Sequence, residues 1–442
     1  MPSHRIANTH RRLFNQSTQL GSFSPAAWLI QISSPYGATL SDLAPQDQAT
    51  LSHEFGHLLH SFTTYAGLLD LRFWARALVT LEGTRLPAES AEQFVTRQAR
   101  EVLDVNRAKQ VFAIDDFYYF EIAPYLAAEA AQRPRGAGWI WGETTGALFR
   151  TDGTASDRRF WALRFYLDQR SNERAFIRIP MGLHTLIEHL AVGVDFASEM
   201  SVGDEASRFK HLEDAITAAY TPELLHYYAL THRLSSALGR MYSPAERVNT
   251  FTVSTQVVAV LADIPFDDPF IWATLHQYAK DHSLNVAEHM AYPHPSFVFP
   301  LLVHAFEQLA LPMNQLTDWA SAEQTADQLL TQLGLPIMVE LQAKRDLLAS
   351  EVKTLLDKGA STGTRSELLS WLGNYEQGLT RAEKYLAPTS RLGGSFPVPV
   401  LFADNGYWEG SVLSMSECQV LVEREARYHE LLRIPAFRDI VP

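Results

Sequence analysis

Apolar residues recur at intervals of three and four along most of the chain, with polar residues between them. This spacing is typical of helices that bury one face. It predicts one helix from Gln46 to Tyr65 and a second from Leu68 to Leu81, with Gly67 interpreted as a helix break or C-cap. Further helices are predicted at Glu89–Val111, Phe117–Ala131, Phe160–Gln169, Leu183–Ser198, Glu205–Ala219, Leu224–Leu238, Val248–Asp263, Ile271–His282, Phe297–Leu309 and within 322–386.

Three shorter apolar stretches predict strands. They are Ala26–Ile32, which ends before Pro35 and Gly37, and the pieces Ala175–Ile179 and Val398–Phe402. The predicted fold class is therefore mainly α with a small β-sheet, an α+β arrangement. We divide the chain into a core unit at 1–320 and a helical C-terminal region at 321–442. Within the second region, Gly, Ser and Pro predict a loop near 388–399.

Composition and charge narrow the classes of function. Of 442 residues, 46% are hydrophobic, which is enough for a large core. The net charge of −13 and the absence of a Lys- or Arg-rich run argue against nucleic acid as a partner. No stretch resembles the roughly 20 apolar residues that cross a membrane, and residues 1–31 lack a signal-peptide pattern. Cys418 is the only cysteine, which excludes an intrachain disulfide, so we expect a cytoplasmic protein.

The segment His53-Glu54-Phe55-Gly56-His57 carries the strongest chemical signal. Residues four apart on a helix share one face, so His53 and His57 can present two imidazoles to one tetrahedral metal ion. Glu54 need not coordinate the ion. Its carboxylate can instead take a proton from a metal-activated water and return that proton to the leaving group. Zinc suits this chemistry because it has no redox activity and lowers the pKa of bound water to about 7.

The surroundings of this segment fit a buried helix under a metal site. Residues 49–52, Leu58 and Leu59 carry no charge, and the predicted strand Ala26–Ile32 lies shortly upstream, where an active-site edge strand would sit. The alternative is an amphipathic helix with two solvated histidines and a surface glutamate, because so short a pattern also arises by chance.

The longer segment Thr50-Leu51-Ser52-His53-Glu54-Phe55-Gly56-His57-Leu58-Leu59-His60 resembles the active-site helix of the zincin metallopeptidases. In the gluzincin branch of that superfamily, a glutamate on a later helix is the third metal ligand. The resemblance implies that His53 and His57 bind Zn²⁺ and that Glu54 is the catalytic base. It also implies a zincin-like core, here with large helical additions.

Two glutamates compete as the third ligand. Glu188 follows Gly182 in an apolar helical segment that resembles the third-ligand helix of gluzincins, although it lies 131 residues after His57. Glu82 lies 25 residues after His57, a spacing similar to that of the thimet oligopeptidase family, which also favours a His-Glu-Phe-Gly-His core. The chain departs from that family because only 52 residues precede His53. We therefore predict Glu188, with Glu82 as the alternative.

Supporting groups are predicted by residue type alone. A metallopeptidase needs a donor for the developing oxyanion, and its ligand histidines need hydrogen-bond acceptors. Asp195 or Glu199 could be the acceptor, and His289 with His294 could form a second site beside a Pro-rich turn, although such residues more often pack or face solvent. The candidate oxyanion donors are Tyr65, His184, His189, Tyr227, Tyr228 and His232.

The sequence thus predicts a zinc-dependent metallopeptidase that acts on a peptide or protein substrate. One alternative is a helical binding or scaffold protein that retains a zincin framework without turnover. A structural zinc closed by a fourth ligand such as His60 would favour it, since catalysis needs an open coordination position. The other alternative is an amide hydrolase with a non-peptide substrate. An extended groove beside an edge strand would favour peptides instead.

Overall fold

The computed structural model describes residues 21–24, 29–34, 43–82, 139–149, 155–166, 175–199, 204–218, 224–238, 244–291, 293–309, 319–357, 400–403 and 406–408. In chain order they form β1 (Gly21–Ser24), β2 (Leu29–Ile32), α1 (Pro45–Thr63), α2 (Tyr65–Glu82), β3 (Ile140–Phe149), β4 (Ala155–Tyr166), β5 (Ala175–Pro180), α3 (Leu183–Glu199), α4 (Glu205–Ala218), α5 (Leu225–Leu238), α6 (Pro244–Ala262), α7 (Pro269–Asp281), a 3₁₀ turn (Asn285–His289), α8 (Pro295–Leu309), α9 (Trp319–Gln332), α10 (Met338–Asp357), β6 (Val400–Ala403) and β7 (Gly406–Trp408). Most of these residues are helical, so the predicted class, mainly α with a small β-sheet, is confirmed.

Helices α1 to α8 all correspond to segments predicted from apolar periodicity. The helix predicted at Phe160–Gln169 is wrong, because β4 occupies residues 155–166 and pairs with both β3 and β5. Residues 160 to 163 and Phe165 are all buried, so the strand shows no alternation of apolar and polar positions. A short run buried on both faces does not distinguish a strand from a helix. The helices predicted at Glu89–Val111 and Phe117–Ala131 lie outside the described residues.

The described strands form two sheets. One is antiparallel in the order β3-β4-β5, and the other has the order β1-β2-β6-β7. β2 pairs antiparallel with β1 and parallel with β6, so it is an inner strand and not the predicted edge strand. The strand predicted at Ala26–Ile32 is observed for Leu29–Ile32.

Parts of the region predicted as C-terminal contact the core unit directly. β6 pairs with β2 in the mixed sheet, and α10 packs against α2. The boundary near residue 320 stays a prediction. No helix in the described ranges is long and apolar enough to cross a membrane.

Helices α1 and α2 meet at a tight corner around Thr64. Its hydroxyl donates to the carbonyl of His60 and accepts the backbone N–H of Gly67 at 2.9 Å. A Cβ atom on Gly67 would lie 2.2 Å from the His60 carbonyl oxygen, so only glycine fits there. The predicted interruption falls at Thr64, between α1 and α2. Gly67 lies in the first turn of α2, so the prediction that this residue itself breaks or caps a helix end is wrong.

Gly56 lies where α1 packs against α3. A Cβ atom at this position would lie 3.0 Å from the Cα atom of Ala191 and 3.3 Å from the Cβ atom of Val194. A residue without a side chain allows the two helix backbones to approach this closely. The approach sets the face of α1 that carries His53 opposite the face of α3 that carries Glu188.

Candidate metal centre

Three predicted ligands converge between α1 and α3. The Nε2 atoms of His53 and His57 lie 3.1 Å apart. Oε2 of Glu188 lies 3.1 Å from Nε2 of His53 and 3.4 Å from Nε2 of His57. Glu188 is buried, and both histidines are mostly buried. These three side chains form a group that could hold a metal ion.

The spacing of the three atoms fits a single ion. Nitrogen and oxygen ligands bind zinc at about 2.0–2.2 Å, and tetrahedral geometry then places neighbouring ligand atoms about 3.3–3.5 Å apart. The observed separations of 3.1 to 3.4 Å are close to that value. An ion could therefore enter with side-chain adjustments of only a few tenths of an ångström.

The hydrogen-bond partners of His53 also favour a cation, either a proton or a metal ion, between these side chains. The Asp195 carboxylate can only accept a hydrogen bond when ionised, so Nδ1 of His53 donates to Oδ2 of Asp195 at 3.0 Å. Neutral His53 then presents an Nε2 lone pair to the carboxylate of Glu188, and these groups repel unless a proton or a metal ion lies between them. Burial acts to lower the pKa of His53, but Asp195 and Glu188 raise it well above its ordinary value.

Asp195 supplies the acceptor considered for a ligand histidine. It lies on α3, seven residues and about two turns after Glu188, so both carboxylates face α1. A carboxylate on the outer nitrogen of a ligand histidine fixes its tautomer and ring orientation. Glu199, the other acceptor considered, is the last residue of α3, and its side chain lies outside those described.

Glu54 is 6% exposed and does not belong to the group of three. Burial raises the pKa of its carboxyl group, and the nearby His57 and His53 oppose that rise. A raised pKa brings a carboxyl group closer to neutral pH, where it can accept a proton and give it back.

Tyr227 is the oxyanion-donor candidate that the structure places beside the ligands. It lies in the first turn of α5, with its ring edge-to-face on the His53 ring at 5.8 Å between centroids. Burial raises the pKa of the Tyr227 phenol well above its ordinary value, and the carboxylates of Glu188, Glu54 and Asp195 raise it further. The phenol therefore keeps its proton and remains a hydrogen-bond donor at neutral pH.

The five other candidates have different surroundings or no described side chain. Tyr65 donates its hydroxyl to Asp267 at 2.9 Å. The rings of Tyr228 and His232 pack against those of Phe251 and Phe165. The side chain of His184 is not described. His189, immediately after Glu188, is fully buried and turns toward α5 and α6.

The other candidate ligands whose side chains are described do not join the group. Among the described side chains, no fourth His, Cys, Asp or Glu completes it, and His60 is buried elsewhere. Glu82 is the last residue of α2, and its side chain is not described. Nδ1 of His294 lies 2.6 Å from the Ser296 hydroxyl, and no second group of ligands is found with His289 in the described part of the chain.

Comparison of the chain with protein-family models, with curated proteins and with solved structures finds no match in any of the three. The zincin resemblance of residues 50–60 therefore stays a prediction from the sequence. Function has to be inferred from the geometry of the site.

Proposed function

We propose that this chain is a zinc-dependent metallopeptidase whose ligands are His53, His57 and Glu188. The observation that carries the proposal is the convergence of the three ligand atoms within 3.1 to 3.4 Å of one another. Two imidazoles and one carboxylate are a ligand set of catalytic zinc sites, which keep a fourth position open. The described residues supply no fourth ligand, and this favours a catalytic site over a structural one.

Each side chain of the site has a role in hydrolysis. Zinc bound there supplies Lewis acidity, which polarises a carbonyl group and makes water acidic near neutral pH. Glu54 accepts the proton of the attacking water and passes it to the leaving amine. The Tyr227 phenol donates a hydrogen bond to the oxyanion that develops on the substrate carbonyl. Asp195 holds His53 in the tautomer that leaves Nε2 available.

A peptide substrate is favoured by the sheet beside α1. β1 is one of the two outermost described strands of the mixed sheet, and it contacts the helix that carries both histidines. An outer strand presents backbone groups with which an extended peptide can form hydrogen bonds. This proximity supports a peptide over a compact metabolite.

The first experiment measures metal content by elemental analysis after purification in zinc-containing buffer. We expect about one zinc per chain in the wild type, as for a three-ligand site, and none in Glu188→Ala. Glu82→Ala is the matched control and should retain zinc. Zinc lost from Glu82→Ala but kept in Glu188→Ala would contradict the assignment of the third ligand, and no zinc in the wild type would contradict the metal site itself.

The second experiment separates metal binding from catalysis. Glu54→Gln keeps the size of the side chain but removes the base, so zinc should stay bound while hydrolysis falls about 10²- to 10⁴-fold. Cleavage of unfolded casein and of a mixed peptide library, followed by mass spectrometry, measures the rate. Wild-type cleavage rates in Glu54→Gln would refute this mechanism.

A further inference from the structure

A buried polar network lies directly behind the candidate metal centre. His189 follows the ligand Glu188 on α3, is 0% exposed, and contacts two other helices. Its Nδ1 lies 2.8 Å from the backbone carbonyl oxygen of Tyr227 on α5. Its Nε2 lies 3.1 Å from the hydroxyl of Ser254 and 3.3 Å from the hydroxyl of Thr255, both on α6.

The partners of His189 fix its tautomer. A carbonyl oxygen can only accept, so Nδ1 carries the proton and donates it to Tyr227. Nε2 then accepts from the hydroxyl of Ser254 or Thr255. Both hydroxyls also lie within hydrogen-bond distance of the Phe251 carbonyl, so each keeps a partner if the imidazole is removed.

The network joins a metal-ligand helix to the helix that carries the oxyanion donor. Glu188 points from α3 toward α1, and the next residue, His189, points from the same turn toward α5. The bond from Nδ1 therefore fixes the first turn of α5 relative to the ligand carboxylate. The Tyr227 side chain leaves the backbone at the residue that receives this bond.

We infer that His189 is a positioning residue, whose Nδ1–H bond to the Tyr227 carbonyl holds the phenol beside the metal ligands. The inference rests on the proposed function, because the phenol has a role only if the site holds a metal with an open position. The inferred role requires a fixed distance between α3 and α5, which metal binding alone does not require.

Two substitutions separate this role from simple packing. The amide nitrogen of asparagine occupies nearly the position of Nδ1, so His189→Asn can keep the bond to Tyr227 while losing the contacts to α6. The amide group of glutamine reaches the position of Nε2, so His189→Gln can keep the contacts to α6 while losing the bond to Tyr227. If His189 only filled space, the larger glutamine would be the better replacement.

The probe is acetohydroxamate, which chelates zinc through two oxygens and is too small to need a specificity pocket. Its dissociation constant is measured by calorimetry on zinc-loaded protein. Loss of one hydrogen bond to a bound anion should weaken binding about tenfold in Tyr227→Phe and about tenfold in His189→Gln. His189→Asn should stay within about threefold of the wild type. Adding His189→Gln to Tyr227→Phe should cause no further loss, because both changes remove the same contact.

The outcomes distinguish the inference from the proposed function. Weak binding by His189→Asn with normal binding by His189→Gln overturns the inference, as does full additivity in the double variant. If Tyr227→Phe binds acetohydroxamate as tightly as wild type, the phenol does not contact the bound anion. If zinc-loaded wild type does not bind acetohydroxamate at all, the proposed open site is contradicted. If the His189 variants do not fold, Ser254→Ala with Thr255→Val tests the same point. These changes leave the Tyr227 bond intact, so a tenfold loss of affinity would contradict the inference.

Discussion

Replacing Gly56 by alanine should weaken zinc binding without touching a ligand. The added methyl carbon would stand 3.0 Å from the Cα atom of Ala191 and 3.2 Å from its Cβ atom. Because the nearer atom belongs to the backbone of α3, no side-chain rotation can relieve the contact. Helices α1 and α3 must move apart, and Glu188 moves with α3.

The size of the effect follows from these distances. Carbon atoms in contact stand about 3.5–4.0 Å apart, so the helices must separate by a few tenths of an ångström, up to about 0.5 Å. Metal–ligand distances tolerate changes of about 0.2 Å, so zinc affinity should fall about tenfold or more, as when a supporting residue is removed. In the metal-free protein, overpacking costs about 1–3 kcal/mol and the better helix propensity of alanine returns about 1 kcal/mol. The net loss of stability should therefore be about 0–2 kcal/mol.

Two measurements test this prediction. Competition with a chromophoric chelator gives the zinc affinity, and urea unfolding of metal-free protein gives the free energy of unfolding. Gly142→Ala on β3 is the control, since its Cβ atom would make only an ordinary contact of 3.5 Å with Tyr166. A Gly56→Ala protein that is about 1 kcal/mol more stable than wild type, with unchanged zinc affinity, would refute the close approach of α1 and α3.

Three further predictions follow from the site and its supports. Zinc binding near neutral pH should release about one proton, because Asp195 and Glu188 keep the pKa of His53 raised in the metal-free site. Asp195→Asn should release fewer protons and bind zinc about 10- to 100-fold more weakly; calorimetry in several buffers measures both, and equal release would contradict the role of Asp195. Burial lowers the pKa of His189 to about 4. Its contribution to stability is therefore complete at pH values above the ordinary histidine pKa of about 6.5. As the pH falls from there toward 4, up to about 3 kcal/mol of that stability is lost. The difference in urea-unfolding free energy between metal-free wild type and His189→Asn should therefore shrink over that window, and a constant difference would argue against a neutral buried ring. Gly67→Ala should destabilise the metal-free protein by at least about 3 kcal/mol, since its Cβ atom would lie 2.2 Å from the His60 carbonyl oxygen; an unfolding midpoint like that of wild type would exclude the tight corner.

The long helices were predictable because each repeats its apolar spacing over several turns. The pattern failed at β4, where Phe160, Leu163 and Phe165 are buried in a strand that has neighbours on both sides. It also failed at Gly67, because the glycine is required by a contact with His60 across the corner and not by its own backbone conformation.

The site residues that lie close together in the sequence were the ones that could be predicted from it. His53, Glu54 and His57 share just over one helical turn, so their spacing alone indicates a metal-binding face. Glu188 lies 131 residues further on, and nothing in that separation fixes where its helix packs. Asp195 could have been favoured once Glu188 was chosen, since positions seven apart on a helix share a face. Tyr227 comes from another helix, so no spacing identifies it.

In the proposed mechanism, metal binding and transition-state stabilisation depend on different helix contacts. All three candidate ligands lie on α1 and α3, which approach closely at Gly56 and Ala191. The phenol comes from α5, to which His189 on α3 bonds through the Tyr227 carbonyl. A change at Gly56 should therefore act on zinc affinity, whereas a change at His189 should act on binding of a transition-state-like anion to a site still loaded with zinc. If both changes altered zinc affinity equally, α3 and α5 would behave as one rigid support, and Tyr227 would have no separate function for His189 to control.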